Sequence, residues 1–208
     1  QSAVGGGDNN TASGAESVVA GGGTNTASAQ NSSVLGGDTN VASGNYSAVV
    51  GGFHGLANKY GQIAHASGRF AAGGDAQASE AILRNSSANA TPVELFLDGA
   101  ATRLTVPTDT SWMFQIKLVV RQSTGLDSIY KSEGLIRNNA GTTSVNGVTT
   151  TEIYDGIGLP ATPVVVSADD PNDSFLITCT GVIATNLRWV AVVSLAEGDS
   201  RIVFSNKV

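Results

Sequence analysis

The motif SAVGGG occupies residues 2–7, and related hexapeptides follow at residues 17–22 (SVVAGG), 32–37 (SSVLGG) and 47–52 (SAVVGG). Each hexapeptide begins 15 residues after the previous one, with a Val two residues after its Ser and a Gly pair four and five residues after it. An Asn follows at Asn10, Asn25 and Asn40, and Gly55 replaces it in the fourth copy. A fixed period this rich in Gly is typical of stacked coils and not of an ordinary globular core.

Each repeat combines a short β-type run, a Gly-Gly corner, a polar turn centred on the Asn, and a second short run around an Ala. Gly and Asn tolerate backbone conformations that other residues avoid. We therefore expect coils of two short strands and two corners, which pair with their neighbours at about 4.8 Å. The predicted core of the repeats consists of Val4, Val19, Val34, Val49, Ala12, Ala27, Ala42 and Ala57.

This predicted core is thin for the length of chain that it must order. Burial of a Val gains about 1.5–3 kcal/mol, whereas ordering the backbone costs roughly 1–2 kcal/mol for each residue. Hydrogen bonds reduce the difference by only about 1 kcal/mol each. The repeats therefore predict an obligate oligomer, in which several chains bury Val and Ala on more than one side.

The pattern Ser-x-Val-x-Gly-Gly-x-x-Asn-x-Ala-Ser-Gly resembles the head-domain repeat of trimeric autotransporter adhesins, which is also widespread in bacteriophage tail fibres and tailspikes. The resemblance covers about residues 1–79 and implies a left-handed parallel β-roll, three of which pack around a threefold axis as a homotrimer. The repeat is one residue longer than the usual adhesin unit, and the fourth copy departs from it at Phe53-His54-Gly55.

A different pattern begins near residue 80, where the Gly-Gly rhythm stops and longer β-type runs follow. Trp112, Phe114, Ile116 and Leu118 alternate with more polar residues, which is typical of a strand with one buried face. The predicted strands cover residues 81–84, 93–97, 103–106, 111–121, 129–137, 149–154, 164–167, 174–180, 186–194 and 201–204.

These strands predict an antiparallel β-sandwich or jelly-roll-like domain over residues 80–208, after a repeat β-roll shaft over residues 1–79. Segments at residues 66–77, 95–99, 112–114 and 187–190 resemble a β domain that follows such repeats in tail-fibre proteins, notably of marine and cyanobacterial phages. The predicted core consists of Leu95, Leu97, Trp112, Phe114, Ile116, Leu118, Ile136, Phe175, Ile177, Trp189, Ala191 and Val193.

Composition argues against several partners. The formal net charge of −6 disfavours a nucleic-acid partner. No apolar run approaches the ~20 residues of a membrane span, so no membrane insertion is expected.

The chain begins inside a repeat, with neither an initiator Met nor a signal peptide before Gln1, which indicates part of a longer fibre. The single Cys179 lies in an apolar run and is expected to be a buried thiol.

Residue types that commonly carry chemistry are sparse or poorly spaced. No Gly-Lys-Ser/Thr follows the Gly-rich corners, so they do not form a phosphate-binding loop. His54 and His65 lie near no Cys or carboxylate at ligand spacing, and we expect a capping or interface role. Whether one of these His residues binds an ion together with its copies on a threefold axis stays an open alternative. Residues 169–173 (DDPND) lack the spacing of a calcium loop and predict a solvated turn.

The same sparseness argues against an enzyme. The first fifty residues carry only Asp8, Glu16 and Asp38 as acids, at non-equivalent repeat positions, which is a poor source of a glycosidase carboxylate pair. No Gly-x-Ser-x-Gly motif is present. We expect no catalytic residue, no cofactor and no metal.

The aromatic residues expected to be exposed are Tyr46, Phe53, Tyr60, Phe70, Tyr130 and Tyr154.

The resemblance and the composition together predict a structural and receptor-binding part of a phage tail fibre or tailspike, on the extracellular virion. Its partners would be two copies of itself, other tail and virion proteins, and a host cell-surface glycan or protein. The alternatives are a fragment of a bacterial trimeric adhesin and the non-catalytic part of a depolymerase tailspike. The absence of a heptad run favours the phage reading. Ligand contacts are expected in polar turns at residues 138–146, 168–173 and 197–200.

Overall fold

The computed structural model describes residues 1–199, and within them the chain is all-β, with eighteen strands and one short 3₁₀ turn at Asp170–Asn172. No helix among these residues has the length and apolar character needed to cross a membrane. The strands are β1 (Ala3–Val4), β2 (Thr11–Ala12), β3 (Val18–Val19), β4 (Thr26–Ala27), β5 (Ser33–Val34), β6 (Val41–Ala42), β7 (Ala48–Phe53), β8 (Leu56–Ala57), β9 (Ile63–Ser67), β10 (Ala76–Ser87), β11 (Val93–Glu94), β12 (Leu104–Thr105), β13 (Thr110–Gln122), β14 (Asp127–Asn139), β15 (Thr142–Asp155), β16 (Val164–Asp169), β17 (Ser174–Cys179) and β18 (Leu187–Asp199).

The chain divides into two compact units. Among the described residues, unit 1 consists of Gln1–Ser79, Asp109–Ser111 and residues 196–199. Unit 2 consists of Glu80–Thr108 and Trp112–Leu195. The first boundary falls between residues 79 and 80, but two later segments also belong to unit 1. The repeat pattern does not indicate these later segments.

Unit 1 is a β-solenoid of about four turns, which confirms the stacked coils predicted from the period. Strands β1, β3, β5, β7 and β9 form one parallel ladder, and β2, β4, β6 and β8 form another. Val4 pairs with Val19, Val19 with Val34, and Val34 with Val49, so one step along the ladder equals one repeat. We call these coils the coil stack. Its left-handedness stays a prediction.

The interior of the coil stack contains the small apolar residues of each repeat. Its fully buried members are Val19, Val34, Val49, Ala27, Ala42 and Ala57. Ala12 is half-buried against them. Val4 was expected in the interior but is 45% exposed, because the first coil has a neighbouring coil on one side only.

The Asn side chains of the second and third repeats lie inside the stack, and the turn predicted to centre on the Asn has its left-handed residue one position earlier. Asn25 and Asn40 are fully buried. The Asn25 Oδ1 accepts a hydrogen bond from the Asn40 backbone N–H at 3.0 Å, which links successive coils. The left-handed conformation belongs to the residue before the Asn, as in Thr24 (φ 54°) and Thr39 (φ 57°).

The two glycines of each pair have different roles. Gly22 has a φ of +91°, and a Cβ there would lie 2.2 Å from the carbonyl oxygen of Gly37 in the next coil. Gly21 would place a Cβ in open space. The second glycine is therefore required by both backbone conformation and the close approach of the next coil.

A fifth strand extends the first ladder beyond the four copies visible in the sequence. Strand β9 pairs with β7, and Ala64 occupies the interior position that Val holds in the earlier coils. The register shifts between Val49 and Gly52, and Gly52 pairs with Ala66 instead of the residue 15 positions later. The departure of the fourth copy from the repeat is therefore a local irregularity that leaves the ladder intact.

Unit 2 contains two sheets. One has the order β10-β18-β13-β14-β15. In the other, β16 pairs along the whole of β17, and the short strands β11 and β12 also pair with β17, near its two ends. The rings of Phe114 and Phe175, one from each sheet, pack at 4.8 Å. All twelve core residues predicted for this part of the chain are buried. Its assignment as a sandwich or jelly roll stays a prediction.

Two of the three predicted polar turns are strands instead. Most of residues 138–146 belong to the hairpin of β14 and β15, whose turn contains only Ala140 and Gly141. Residues 197–199 belong to β18, because they pair within a long strand that the Glu-Gly-Asp sequence does not reveal. Ser200 and the predicted strand at residues 201–204 lie outside the described residues.

Candidate functional site

The first ladder of the coil stack presents an outer face of small and apolar side chains. The residues on either side of each interior residue point away from the interior, because successive side chains of a strand alternate. We define the outer face as Ala3, Gly5, Val18, Ala20, Ser33, Leu35, Ala48, Val50, Ile63 and His65.

The outer face exposes large apolar side chains with no acidic or basic group other than His65. The exposed fraction is 41% for Val18, 58% for Leu35, 47% for Val50 and 47% for Ile63. Single exposed apolar residues are ordinary, but Leu35 and Val50 occupy equivalent positions of neighbouring coils, and an exposed apolar patch marks a contact surface. The outer face can therefore bind another apolar surface of matching shape.

The corners of the coil stack place aromatic rings near one end of it. Tyr46 and Tyr60 lie 5.2 Å apart between ring centroids, and Phe53 lies 4.0 Å from His54. Tyr46 and His54 both adopt the left-handed conformation, with φ of 61° and 63°. Tyr46 and Phe53 are about half exposed, as expected from the sequence.

The two histidines occupy different surroundings. His54 is buried at a corner, where burial and the nearby Arg69 lower its pKa while Asp38 and Asp75 oppose that shift. His65 is exposed on the outer face. Among residues 1–199, no group of three or more His, Cys, Asp or Glu side chains could hold a metal ion.

A polar cluster lies within unit 1 around Glu197. The Oε1 of Glu197 accepts hydrogen bonds from Ser79 Oγ, from Gln77 Nε2 at 3.2 Å and from Gln62 Nε2 at 3.4 Å. Burial raises the pKa of Glu197, and burial lowers the pKa of the neighbouring Lys59. The sequence assigned Glu197 to a turn and missed this cluster. The signal available was Gln62, which holds the Ser position of a fifth repeat.

The acidic run at residues 169–173 has an exposed turn at its centre, Asp170–Asn172, as predicted, but the carboxylates at its two ends are bound within unit 2. Asp169 pairs with Arg103 at 2.7 Å, and Arg103 also binds both oxygens of Glu94 at 2.8 and 2.9 Å. Asp173 accepts hydrogen bonds from Asn138 Nδ2 at 2.8 Å and Thr143 Oγ1 at 2.9 Å. These carboxylates are used to hold the strands together.

The sequence also predicts the burial of Cys179 and the exposure of Tyr130, both in unit 2. Cys179 is fully buried as expected, and burial raises the pKa of its thiol. Tyr130 was expected to be exposed, but it is 2% exposed because it falls on the inward face of β14. Burial raises the pKa of Tyr130 to about 12.

Comparison with known proteins gives little further assignment. No protein-family model and no curated protein matches the sequence. Among solved structures, the crystal structure of the Acinetobacter phage vB_ApiP_P1 tailspike protein matches with 7% identity and a TM-score of 0.31. The match covers 88% of this chain and 42% of that chain, so this chain spans less than half the length of that tailspike. A likeness at this level assigns no function.

Proposed function

We propose that this chain is a structural and receptor-binding part of a phage tail fibre or tailspike. The coil stack forms a homotrimeric shaft, and unit 2 contacts the host surface without catalysis or a cofactor. The exposed apolar outer face is the observation that carries the proposal of a shaft. The phage assignment rests on the resemblance of the repeats to those of phage fibres.

A second and third copy of the same chain are the occupants that suit the outer face best. Each coil buries only one Val or Ala in each ladder, and the neighbouring Val18, Leu35 and Val50 are left about half exposed. Covering the exposed half of one such side chain is worth about 1 kcal/mol. Because equivalent positions of the outer face recur every 15 residues, a copy in the same orientation offers matching positions along the whole face.

The state of association tests the shaft. The purified chain is expected to show three times its mass of 21.0 kDa in light scattering. The double variant Leu35→Asp/Val50→Asp should lose association, because two carboxylates would have to be buried on each chain. Ser28→Asp/Ser43→Asp is the matched control with the same charge change, since both serines are exposed beside β4 and β6 in another part of the coil. A folded wild-type monomer at micromolar concentration refutes the trimer.

The location of the chain separates the phage proposal from the adhesin alternative. Gold-labelled antibody against unit 2 should decorate virion tails, with the label at a fibre or spike that touches the host. Label on the bacterial envelope in the absence of virus would instead assign the chain to a surface adhesin. Release of reducing ends from host polysaccharide by the purified chain would contradict the non-catalytic role.

A further inference from the structure

Unit 2 contains an open groove where three neighbouring strands end. A cavity of about 630 Å³ lies at the end of β10, the start of β18 and the end of β13, and Ser86, Arg121, Ser123, Asn186 and Arg188 contribute to its lining. A smaller cavity of about 240 Å³ shares Ser86 and Arg188 and adds Arg84. We call the two together the arginine groove. The larger volume lies in the range of small-molecule sites, roughly 300–1,000 Å³.

The strands hold the three arginines in place. Residues next to them in sequence point inward and are fully buried, namely Leu83, Val120 and Trp189. The Trp189 Nε1–H donates a hydrogen bond to Ser87 Oγ at 3.0 Å, which anchors the indole beneath the groove. Alternation along each strand then requires Arg84, Arg121 and Arg188 to project outward. The groove therefore lies on the outward face of the sheet, above a buried layer.

The charges of two of these arginines have no partner among the described residues. Arg84 and Arg188 form no ion pair or side-chain hydrogen bond there. The guanidinium of Arg84 lies against Gly99, but the nearby Asp98 is occupied by the backbone N–H groups of its own turn. Arg121 pairs with Asp127 at 3.1 Å, and both side chains are well exposed, so the pair is weak.

Arg103 provides a comparison within the same unit. It is bound by Glu94 and Asp169, so its charge is neutralised inside the protein. In a chain of net charge −6, two guanidinium groups that line one cavity without such partners indicate a site for an anion that comes from outside.

The side chains that line the arginine groove favour some classes of anion over others. Hydroxyl and amide groups of Ser86, Ser123 and Asn186 can bind sugar hydroxyls, and the guanidinium groups can bind carboxylates or sulfates. Trp189 is fully buried, so it offers no face on which a neutral sugar could stack. For the same reason the lining offers no aromatic face on which a nucleic-acid base could stack.

We propose that the arginine groove binds an acidic oligosaccharide, a chain of sugars that carries carboxylate or sulfate groups. Arg84 and Arg188 bind the acidic groups, and Ser86, Ser123 and Asn186 bind the hydroxyls. This inference rests on the proposed host-contact role of unit 2 and names the class of ligand.

Binding of defined polysaccharides by the full chain tests the groove. The probes are polygalacturonate, chondroitin sulfate and dextran sulfate, with neutral dextran and single-stranded DNA for comparison. The double variant Arg84→Gln/Arg188→Gln should weaken binding of at least one acidic probe by tenfold or more, with a matching decrease in salt dependence. Arg137→Gln/Lys117→Gln is the matched control with the same charge change, because both residues are exposed on strands outside the two cavities.

Several results would overturn the inference. The inference is wrong if the wild-type chain binds none of the three acidic probes. It is also wrong if neutral dextran or DNA binds as tightly as the acidic probes, or if the control variant loses as much binding as Arg84→Gln/Arg188→Gln. Thermal unfolding of each variant shows whether a loss of binding comes from a loss of fold.

The failure of this inference is distinguishable from that of the proposed function. If antibody against unit 2 labels virion tails and the chain binds host cells but none of the acidic polysaccharides, the proposed ligand of the groove is wrong and the proposed fibre role stands. If the groove binds acidic sugars but the chain is found on a bacterial envelope, the phage assignment is wrong and the groove stands.

Discussion

Asn40 connects three consecutive coils, and its replacement by Ala tests the internal Asn ladder. The side chain is fully buried. Its Oδ1 accepts a hydrogen bond from the Gly55 N–H at 2.7 Å, and its Nδ2 donates to the carbonyl oxygens of Gly36 at 3.0 Å and Gly52 at 2.9 Å. The Gly52 oxygen also accepts from the Asp38 N–H at 2.9 Å, so it keeps a partner in the variant.

The expected loss for Asn40→Ala is about 4 kcal/mol in the free energy of unfolding. An orphaned buried N–H costs about 1–3 kcal/mol, and each of the other two hydrogen bonds contributes about 1 kcal/mol. Asn10→Ala should cost about half as much, because Asn10 is only half-buried and water can replace its amide. Asn45→Ala is the control, since Asn45 is exposed, and should change stability by less than about 0.5 kcal/mol.

Equilibrium unfolding in guanidinium chloride measures these differences, provided every variant is compared at one protomer concentration. A loss for Asn40→Ala below about 1 kcal/mol, or no larger than that for Asn10→Ala, would refute the argument that the ladder is buried and closed to water.

Three further predictions concern unit 1. Val34→Asp should destabilise the protein by several kcal/mol because a buried charge would be unpaired, and a loss below about 1 kcal/mol would place that side chain in water. Gly22→Ala should lower the midpoint of unfolding well below that of Gly21→Ala, since only at Gly22 would the Cβ meet the next coil, and equal midpoints would contradict the close approach. Burial raises the pKa of Glu197, so its contribution to stability is present below its unfolded pKa and is lost as pH rises through the folded pKa. Glu197→Gln should therefore unfold at a higher denaturant concentration than the wild type at pH 8 and at about the same one at pH 4, and a constant difference would contradict this sign.

The repeat and the alternation of apolar residues were enough to predict much of each unit. A period of 15 residues places equivalent residues one above another, so the buried Val34 and Val49 follow from the spacing alone. In β13 the alternation from Trp112 to Leu118 identifies the inward face, because a strand can bury only every second side chain. Such features depend on neighbours in sequence or on exact repetition, both of which are visible in the chain.

Other features were decided by contacts between residues far apart in sequence. At each corner the left-handed conformation lies one residue before the Asn, and the side chains of Asn25 and Asn40 point into the interior. The composition of the repeat does not reveal which residue of the turn adopts that conformation. Glu197 joins Gln62 and Gln77 because β18 ends in unit 1, a pairing with no sequence signature. Arg84 and Arg188 likewise lie more than a hundred residues apart, and they line one groove because β10 and β18 are neighbours in the sheet. Local propensity determines a strand and its faces, whereas the partner of a strand is set by the packing of the whole chain, which only the tertiary structure shows.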